Sequence, residues 1–411
     1  MSIRAETNQA KWEPILLLWF AYFLHHADKQ IYSVILLPLR HDLGLSAYEA
    51  GLASTLFTIV VALISPIAGA LGDRWPHHRI LTSVVLLWSL GTMATASAFN
   101  LGLLLLTRSV VTPAAEAFYP PVSHAFLASI YTRTRAFAMS IHQTAQYTGP
   151  IVSGFLSGWI AERFGWRYSF LIFGAAGVVL AVVMSFRLKP AEVAVAAPSS
   201  GGLFDGFAFC FRSAPIRAMG FAFAAVLFVS VGYGTFAPSI FAQQFGLSLS
   251  QAGLHTTLWS SISAMAGALA GGWISDRWAL RGRSRFEPQA VALLCAVPFL
   301  WMLGTAQTLP LANFALFGAG FFRGSYEGTL AVALYDLVGP KQRSSAAAVV
   351  LLLANLLSAP SAALLGWIAD HADLNRAVSL LSLCFVLAAA ILVYATRLPA
   401  RTFLSDDVDC L

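Results

Sequence analysis

Apolar stretches of about 20 residues, separated by short polar breaks rich in basic residues, run the length of this 411-residue chain. A hydrocarbon bilayer offers backbone N–H and C=O groups no partner, so stretches of this length and character fold as membrane-spanning helices. We place them at 14–39, 49–72, 80–99, 102–130, 137–160 and 167–187, and again at 217–244, 252–275, 287–306, 309–335, 345–368 and 376–396. Only 11% of the residues are charged and 58% are hydrophobic, which excludes a soluble enzyme, a nucleic-acid binder and a disordered protein. The net charge of +6 sits in the polar breaks, where topology demands it, and marks no nucleic-acid partner. Cys210, Cys295, Cys384 and Cys410 are scattered without CxxC spacing, so neither a metal site nor a disulfide framework is expected, and no cofactor is implied.

Residues 188–216 contain Pro-Ala-Glu and Ala-Pro-Ser-Ser-Gly-Gly, a composition that predicts a cytoplasmic linker between an N-terminal six-helix half, 1–187, and a C-terminal one, 217–411. Most of the 25 Lys and Arg residues fall in alternate breaks, together with Arg4, Lys11, Arg397 and Arg401 at the ends. The positive-inside rule then predicts twelve spans with both termini in the cytoplasm. The first span lacks a small-residue cleavage site and is too long for a signal-peptide core, so it is expected to act as an uncleaved anchor.

The halves repeat each other. Gly44-Leu45-Ser46, Ala50-Gly51-Leu52 and Thr55-Leu56 recur at an offset of 202 as Gly246-Leu247-Ser248, Ala252-Gly253-Leu254 and Thr257-Leu258. Past one inserted residue, Gly69, Leu71, Asp73, Arg74 and Trp75 correspond to Gly272, Ile274, Asp276, Arg277 and Trp278. Duplicated helical bundles that expose a shared midplane site to each side in turn are the physical design of a secondary transporter.

With these features the chain resembles a major facilitator superfamily transporter over essentially its whole length. Gly69-Ala-Leu71-Gly-Asp73-Arg74, with Arg79 five positions on, matches that family's Gly-x-Leu-x-Asp-Arg signature between spans 2 and 3. The resemblance implies a conformational latch formed by Gly69, Asp73, Arg74 and Arg79, and in the second copy by Asp276 and Arg277. Ala27-Asp28-Lys29-Gln30 is similar to the Leu-Asp-Arg-Gln of span 1 in the anion:cation symporter and bacterial spinster-like families, and Ala115-Glu116-Ala117 to their span 4 Gly-Glu-Ala. Gly165-Trp166-Arg167 fits as well, while Lys29 replaces an Arg and the Arg108 to Glu116 spacing is one residue longer than in those families. Gly149-Pro150-Ile-Val-Ser-Gly154 resembles an exporter-type Gly-Pro motif.

Charges near the bilayer centre cost roughly 2.5–3.5 kcal/mol each, so each needs a partner or a task. Six stand out: Asp28 and Lys29 in span 1, Arg108 and Glu116 in span 4, Arg323 and Glu327 in span 10. Asp28 and Lys29 are consecutive and point about 100° apart, so each needs a partner elsewhere. His25 and Tyr32 extend them into a polar stripe, read as lining a central cavity or as a satisfied polar core. Thr112, Glu116, Pro120 and His124 share a face of span 4, which its prolines are expected to bend. Burial favours a neutral carboxylic acid, so Glu116 is the leading proton carrier. The family resemblance adds Asp28 to proton coupling.

Arg323 and Glu327 are an i, i+4 pair that either neutralises itself or frees the guanidinium to hold a carboxylate. Lys29 is its counterpart in the first half, and Tyr326, Ser230 and Tyr233 flank Arg323. Gln143, Gln146 and Tyr147 in span 5 and Asn355 in span 11 are polar enough to hydrogen-bond a sugar-acid hydroxyl. His142 is read in the same way, and His25, His26 and His124 as tuners of a pH response.

These readings predict a monomeric, all-helical transporter in a bacterial inner membrane that moves a small organic anion by proton symport. The alternative is a proton-coupled exporter of drugs, metabolites or lysolipids, which the span 5 motif favours. Nothing resembling a catalytic triad, metal cluster or phosphate-cradling loop points to an enzyme.

Overall fold

The computed structural model describes residues 8–72, 75–131, 134–188, 205–339 and 342–398. Every one of the twelve expected stretches is helical. In chain order the helices are α1 (Asn8–Val34), α2 (Leu36–Leu43), α3 (Ala47–Gly72), α4 (His77–Thr95), α5 (Leu101–Leu104), a π-helical turn (Leu105–Val111), α6 (Thr112–Glu116), α7 (Tyr119–Ile130), α8 (Arg135–Phe164) and α9 (Trp166–Arg187). Then follow α10 (Asp205–Arg212), α11 (Ala214–Phe245), α12 (Leu249–Ala279), α13 (Phe286–Thr305), α14 (Leu309–Tyr335), α15 (Arg343–Ser358), α16 (Pro360–His371), α17 (Leu374–Leu380) and α18 (Ser382–Ala395). Seven of these helical stretches are long and apolar enough to cross a membrane. Large apolar side chains such as Val179, Val291 and Leu387 stand exposed on them, as lipid-facing surface requires.

Several expected spans are interrupted. The fourth breaks at Ala117–Phe118, just ahead of Pro120 and Pro121, which lack the amide hydrogens a continuing helix needs. Its first part contains the π-helical turn at Leu105–Val111, a wider turn that takes in one extra residue. The expected linker lies mostly outside the described residues, but its C-terminal part holds the short helix α10.

Two compact units divide the chain. The first comprises Met1–Gly44, Leu63–Pro198 and Ser248–Leu254. Within it α1 packs on α8 and α4 on α9. Its core gathers Leu18, Tyr22, Trp88, Tyr119, Phe126 and Met184. The close fit of α8 to α1 depends on Gly149, where a Cβ would lie 2.7 Å from the Phe23 carbonyl oxygen. Ser153, one turn on, donates to the Ala27 carbonyl at 2.8 Å.

The second unit comprises Leu45–Ala62, Ser199–Leu247 and His255–Leu411. In it α11 packs on α15 and α18, and α13 on α14 and α18. Gln289 on α13 donates to Thr329 on α14 at 3.0 Å inside the packed interface.

The internal repeat has a geometric basis. Gly44 and Gly246 both take left-handed backbone angles, φ 64° and 63°, and end the helices before them. Each next helix opens on a capping box. Glu49 accepts from the Ser46 amide at 2.8 Å while Ser46 Oγ accepts from the Glu49 amide at 3.1 Å. In the other copy Gln251 accepts from the Ser248 amide, and Ser248 Oγ from the Gln251 amide, each at 3.3 Å. Ser46-x-x-Glu49 and Ser248-x-x-Gln251 are therefore the local signals that start α3 and α12.

Candidate functional site

The first unit holds a buried charge cluster built from α1, α4 and the fourth span. Asp28 pairs with Arg108, whose Nη2 also donates to the Asp28 carbonyl at 3.1 Å. Thr92 on α4 donates to the second Asp28 oxygen at 2.8 Å. All three side chains are buried, and the Arg108 guanidinium lies 5.8 Å from the centre of the Tyr32 ring. Such a pair is held by mutual attraction and hydrogen bonds that offset the loss of water from both ions.

Glu116, at the end of α6, is fully enclosed, and neither carboxylate oxygen has a hydrogen-bond partner. Oε2 faces His25 Nδ1 at 3.6 Å and the Lys29 ammonium at 4.0 Å. Lys29 Nζ is 3.0 Å from His25 Nε2. The Lys29 side chain is 38% exposed, against 0% for Glu116. The polar stripe of α1 therefore divides: His25, Asp28 and Tyr32 are buried, whereas the Lys29 side chain is partly exposed while its ammonium turns toward His25 and Glu116.

Beside this cluster Tyr22 is surrounded by imidazoles. Its ring stacks on His142 at 4.4 Å and on His25 at 5.8 Å, and meets His26 edge-on at 4.6 Å and His124 at 6.3 Å. Tyr119 Oη donates to the Leu18 carbonyl at 2.5 Å and lies 3.4 Å from His142 Nε2. Gln143 has a buried side-chain oxygen without a partner, and Gln146 and Tyr147 follow it half-buried along α8. Thr92, Tyr22, Tyr119 and Ser153 escape sequence reasoning, since a Thr or Tyr in an apolar helix carries no mark of the partner it meets on another helix.

In the second unit Arg323 and Glu327 form the expected pair at 3.4 Å, and Arg323 also lies 3.4 Å from Ser230 Oγ. Both members are partly exposed. Tyr326 is fully buried next to Phe223, and the buried hydroxyls of Tyr326 and Tyr233 have no hydrogen-bond partner. Asn355 spends its amide on the Leu351 carbonyl at 2.8 Å.

Of the residues expected to form a latch, Asp73 and Arg74 lie outside the described residues. Gly69 falls in the last turn of α3, and Arg79 is exposed in the first turn of α4. In the second copy Asp276 pairs with Arg285 at 2.7 Å, and Arg285 also holds Asp336 at 2.8 Å. Arg277 lies over the Trp273 ring at 3.7 Å. Among the described residues no group of three or more His, Cys, Asp or Glu side chains has metal-binding geometry.

Charged side chains enclosed in a helical interior, one exposed cation beside a buried acid, and helices long enough to span a bilayer are the equipment of a transporter. Relatives bear this out. The chain is 25% identical to the hexuronate transporter of Bacillus subtilis (strain 168), over 93% of this chain and 92% of that one. It is 28% identical to an MFS-type efflux pump of Mycolicibacterium smegmatis, over 92% and 91%. Its fold matches that of a bacterial homolog of the human lysosomal transporter Spinster with a TM-score of 0.84, at 19% identity, covering 95% of this chain and 98% of that one. Residues 18–362 match the Major Facilitator Superfamily, and the protein belongs to that family of membrane transporters.

Proposed function

We propose that the protein is a proton-coupled exporter of small organic molecules such as metabolites, drugs or lysolipids. The observation that carries this reading is the seating of the exporter-like Gly149-Pro150 segment. Gly149 packs against the backbone of α1 at Phe23, and Ser153 bonds Ala27, so α8 grips the turn that presents Asp28 and Lys29. The efflux-pump relative, at 28% identity over nearly the full chain, favours the same direction. Glu116, enclosed and without a hydrogen-bond partner, is the proton carrier, with Asp28 beside it held by Arg108 and Thr92. Lys29 and Arg323 are the cations each unit offers to an anionic group on the cargo. Twelve spans in two six-helix bundles, 1–187 and 217–411, working as a monomer by alternating access in a bacterial inner membrane with both termini cytoplasmic, complete the reading. The Asp73 and Asp276 segments are its conformational latches.

The second reading is uptake of a sugar acid together with protons, favoured by the hexuronate relative and by the partly exposed Lys29 side chain. Purified protein in liposomes with a pH-sensitive dye inside separates the two. Glucuronate, lysophosphatidylethanolamine and tetraphenylphosphonium are added outside in turn. Exchange of cargo for protons turns the lumen alkaline, and symport turns it acidic. Export predicts an alkaline signal with the lipid or the lipophilic cation that disappears in Glu116→Gln. An acid signal with glucuronate alone transfers the assignment to symport, and no signal with any of the three removes proton coupling.

A further inference from the structure

Glu116 is fully enclosed, so a proton can reach or leave it only by way of a neighbouring group. The geometry around it supplies one. An ammonium group has hydrogens to give and no lone pair to accept with, so the His25 ring nitrogen 3.0 Å from Lys29 Nζ, Nε2, is the acceptor of that bond. The hydrogen of the neutral imidazole is then on Nδ1, the atom that faces Glu116 Oε2 at 3.6 Å. That separation is just beyond hydrogen-bonding range, a spacing common at proton-transfer sites before they are loaded. Lys29 at one end is partly exposed and Glu116 at the other is sealed.

We propose that His25 is a proton relay through which Lys29 loads and unloads Glu116. In the loading direction an N–H bond of the Lys29 ammonium breaks as one forms at His25 Nε2. The Nδ1–H bond breaks as an O–H bond forms on Glu116. Lys29 is left as a neutral amine, Glu116 as a neutral acid, and His25 as the other neutral tautomer. Lys29 then takes its next proton from water, and the reverse sequence empties the site. An anionic group bound at Lys29 holds the ammonium charged and so keeps its proton from Glu116, which ties cargo to proton at one residue.

The groups facing His25 leave this path open. Tyr22 and His26 meet its ring from α1, at 5.8 and 5.1 Å, Trp88 from α4 at 5.9 Å and Tyr119 from α7 at 6.1 Å. Tyr119 gives its hydrogen to Leu18, and His142 on α8 stacks against Tyr22. Asp28 and Arg108 are engaged with each other. The relay rests on the proton coupling proposed above.

The test is His25→Gln. Its amide can accept from Lys29 and donate to Glu116, keeping the spacing, but cannot pass a proton. Tracer exchange at equal pH across the membrane is measured with whichever of glucuronate, lysophosphatidylethanolamine or tetraphenylphosphonium moves protons in the wild type. Proton flux is read beside it by the internal dye. The relay predicts exchange within about two-fold of wild type and proton flux reduced at least ten-fold. Flux that stays at the wild-type level overturns it, and so does a folded variant that loses exchange as well, since His25 would then be part of cargo binding. If the variant does not fold, 15N-histidine NMR of the wild-type protein decides, with the signal assigned by its shift in Glu116→Gln. A His25 hydrogen on Nδ1 supports the relay, and one on Nε2 overturns it. A wild type that moves no protons at all removes the proposed function, and the NMR reading then judges the relay by itself.

Discussion

Asp370 caps Ala47: the carboxylate at the end of α16 accepts from the amides of Ala47 and Tyr48, at 2.9 and 2.8 Å, where α3 begins. Both ends of this contact lie in the second unit. Its counterpart in the first unit is Glu162 near the end of α8, which accepts from the Ser250 amide at 2.7 Å and from its hydroxyl at 3.2 Å at the start of α12. A carboxylate at a helix N-terminus satisfies orphan amides and meets the positive end of the helix dipole. Asp370→Ala and Glu162→Ala are each expected to cost about 1 kcal/mol, the usual worth of a cap. The two sites share no partners, so the double variant should show the sum within about 0.5 kcal/mol. Thermal unfolding in detergent checks both statements.

Asp28→Asn leaves the Arg108 guanidinium buried without its carboxylate, and breaking a buried pair from one side costs about 3–5 kcal/mol. Asp28→Asn combined with Arg108→Gln removes both charges and should recover much of that loss. Thr92→Val deletes the other hydrogen bond to Asp28 and is expected to cost about 1.5–3 kcal/mol, the range for a bond to a charged group. A double-mutant cycle on unfolding temperatures reads the coupling, and a simple sum of the two single-site losses would contradict it.

Asp42, at the end of α2, accepts hydrogen bonds from Arg167 and, at 3.1 Å, from Trp166 Nε1. The Arg167 bond above all, then the Trp166 bond, holds its carboxyl below the ordinary aspartate range. A carboxyl whose value is lowered by folding adds stability at pH above its unfolded value, about 3.9, and loses that stability as pH falls through the folded value. Unfolding temperature should therefore decline on acidification below about pH 4. In Arg167→Gln the share of that decline owed to Asp42 should shrink. An identical pH profile for the two proteins would show that the pair contributes nothing.

Gly149→Val places a branched side chain against the Phe23 carbonyl and must part α8 from α1. Overpacking of this kind costs about 1–3 kcal/mol, so the protein should still fold. The separation shifts Ser153 from Ala27 and the α1 turn that holds Asp28 and Lys29, so transport is expected to fall much further than stability does. Dye-reported flux and unfolding temperature on the same preparation test this directly.

How far the sequence could be read depends on the scale of each feature. A bilayer crossing demands about 20 apolar residues, a signal spread too widely for single positions to blur, and every expected span is helical. The Ser46 and Ser248 capping boxes are written in four residues each and start their helices as that spacing dictates. The charge cluster was legible only as a list. That Asp28 needs a partner on another helix follows from its one-residue offset from Lys29, but that the partner is Arg108, 80 positions away, depends on how two helices are turned about their own axes. Spacing along one helix carries no information on that rotation. For the same reason Tyr22 and His142, whose rings stack at 4.4 Å, give no hint of each other in the chain.

The π-helical turn between Leu105 and Val111 sets the angular index of the fourth span. One residue of α-helix turns the chain by about 100°, so carrying the extra residue in regular α-helix would swing Glu116 through that angle relative to Arg108. The acid that faces His25 and the base that holds Asp28 would then no longer address the same helix. The wide turn thus takes up one residue as slack in a rope, and the rest of the span keeps its facing.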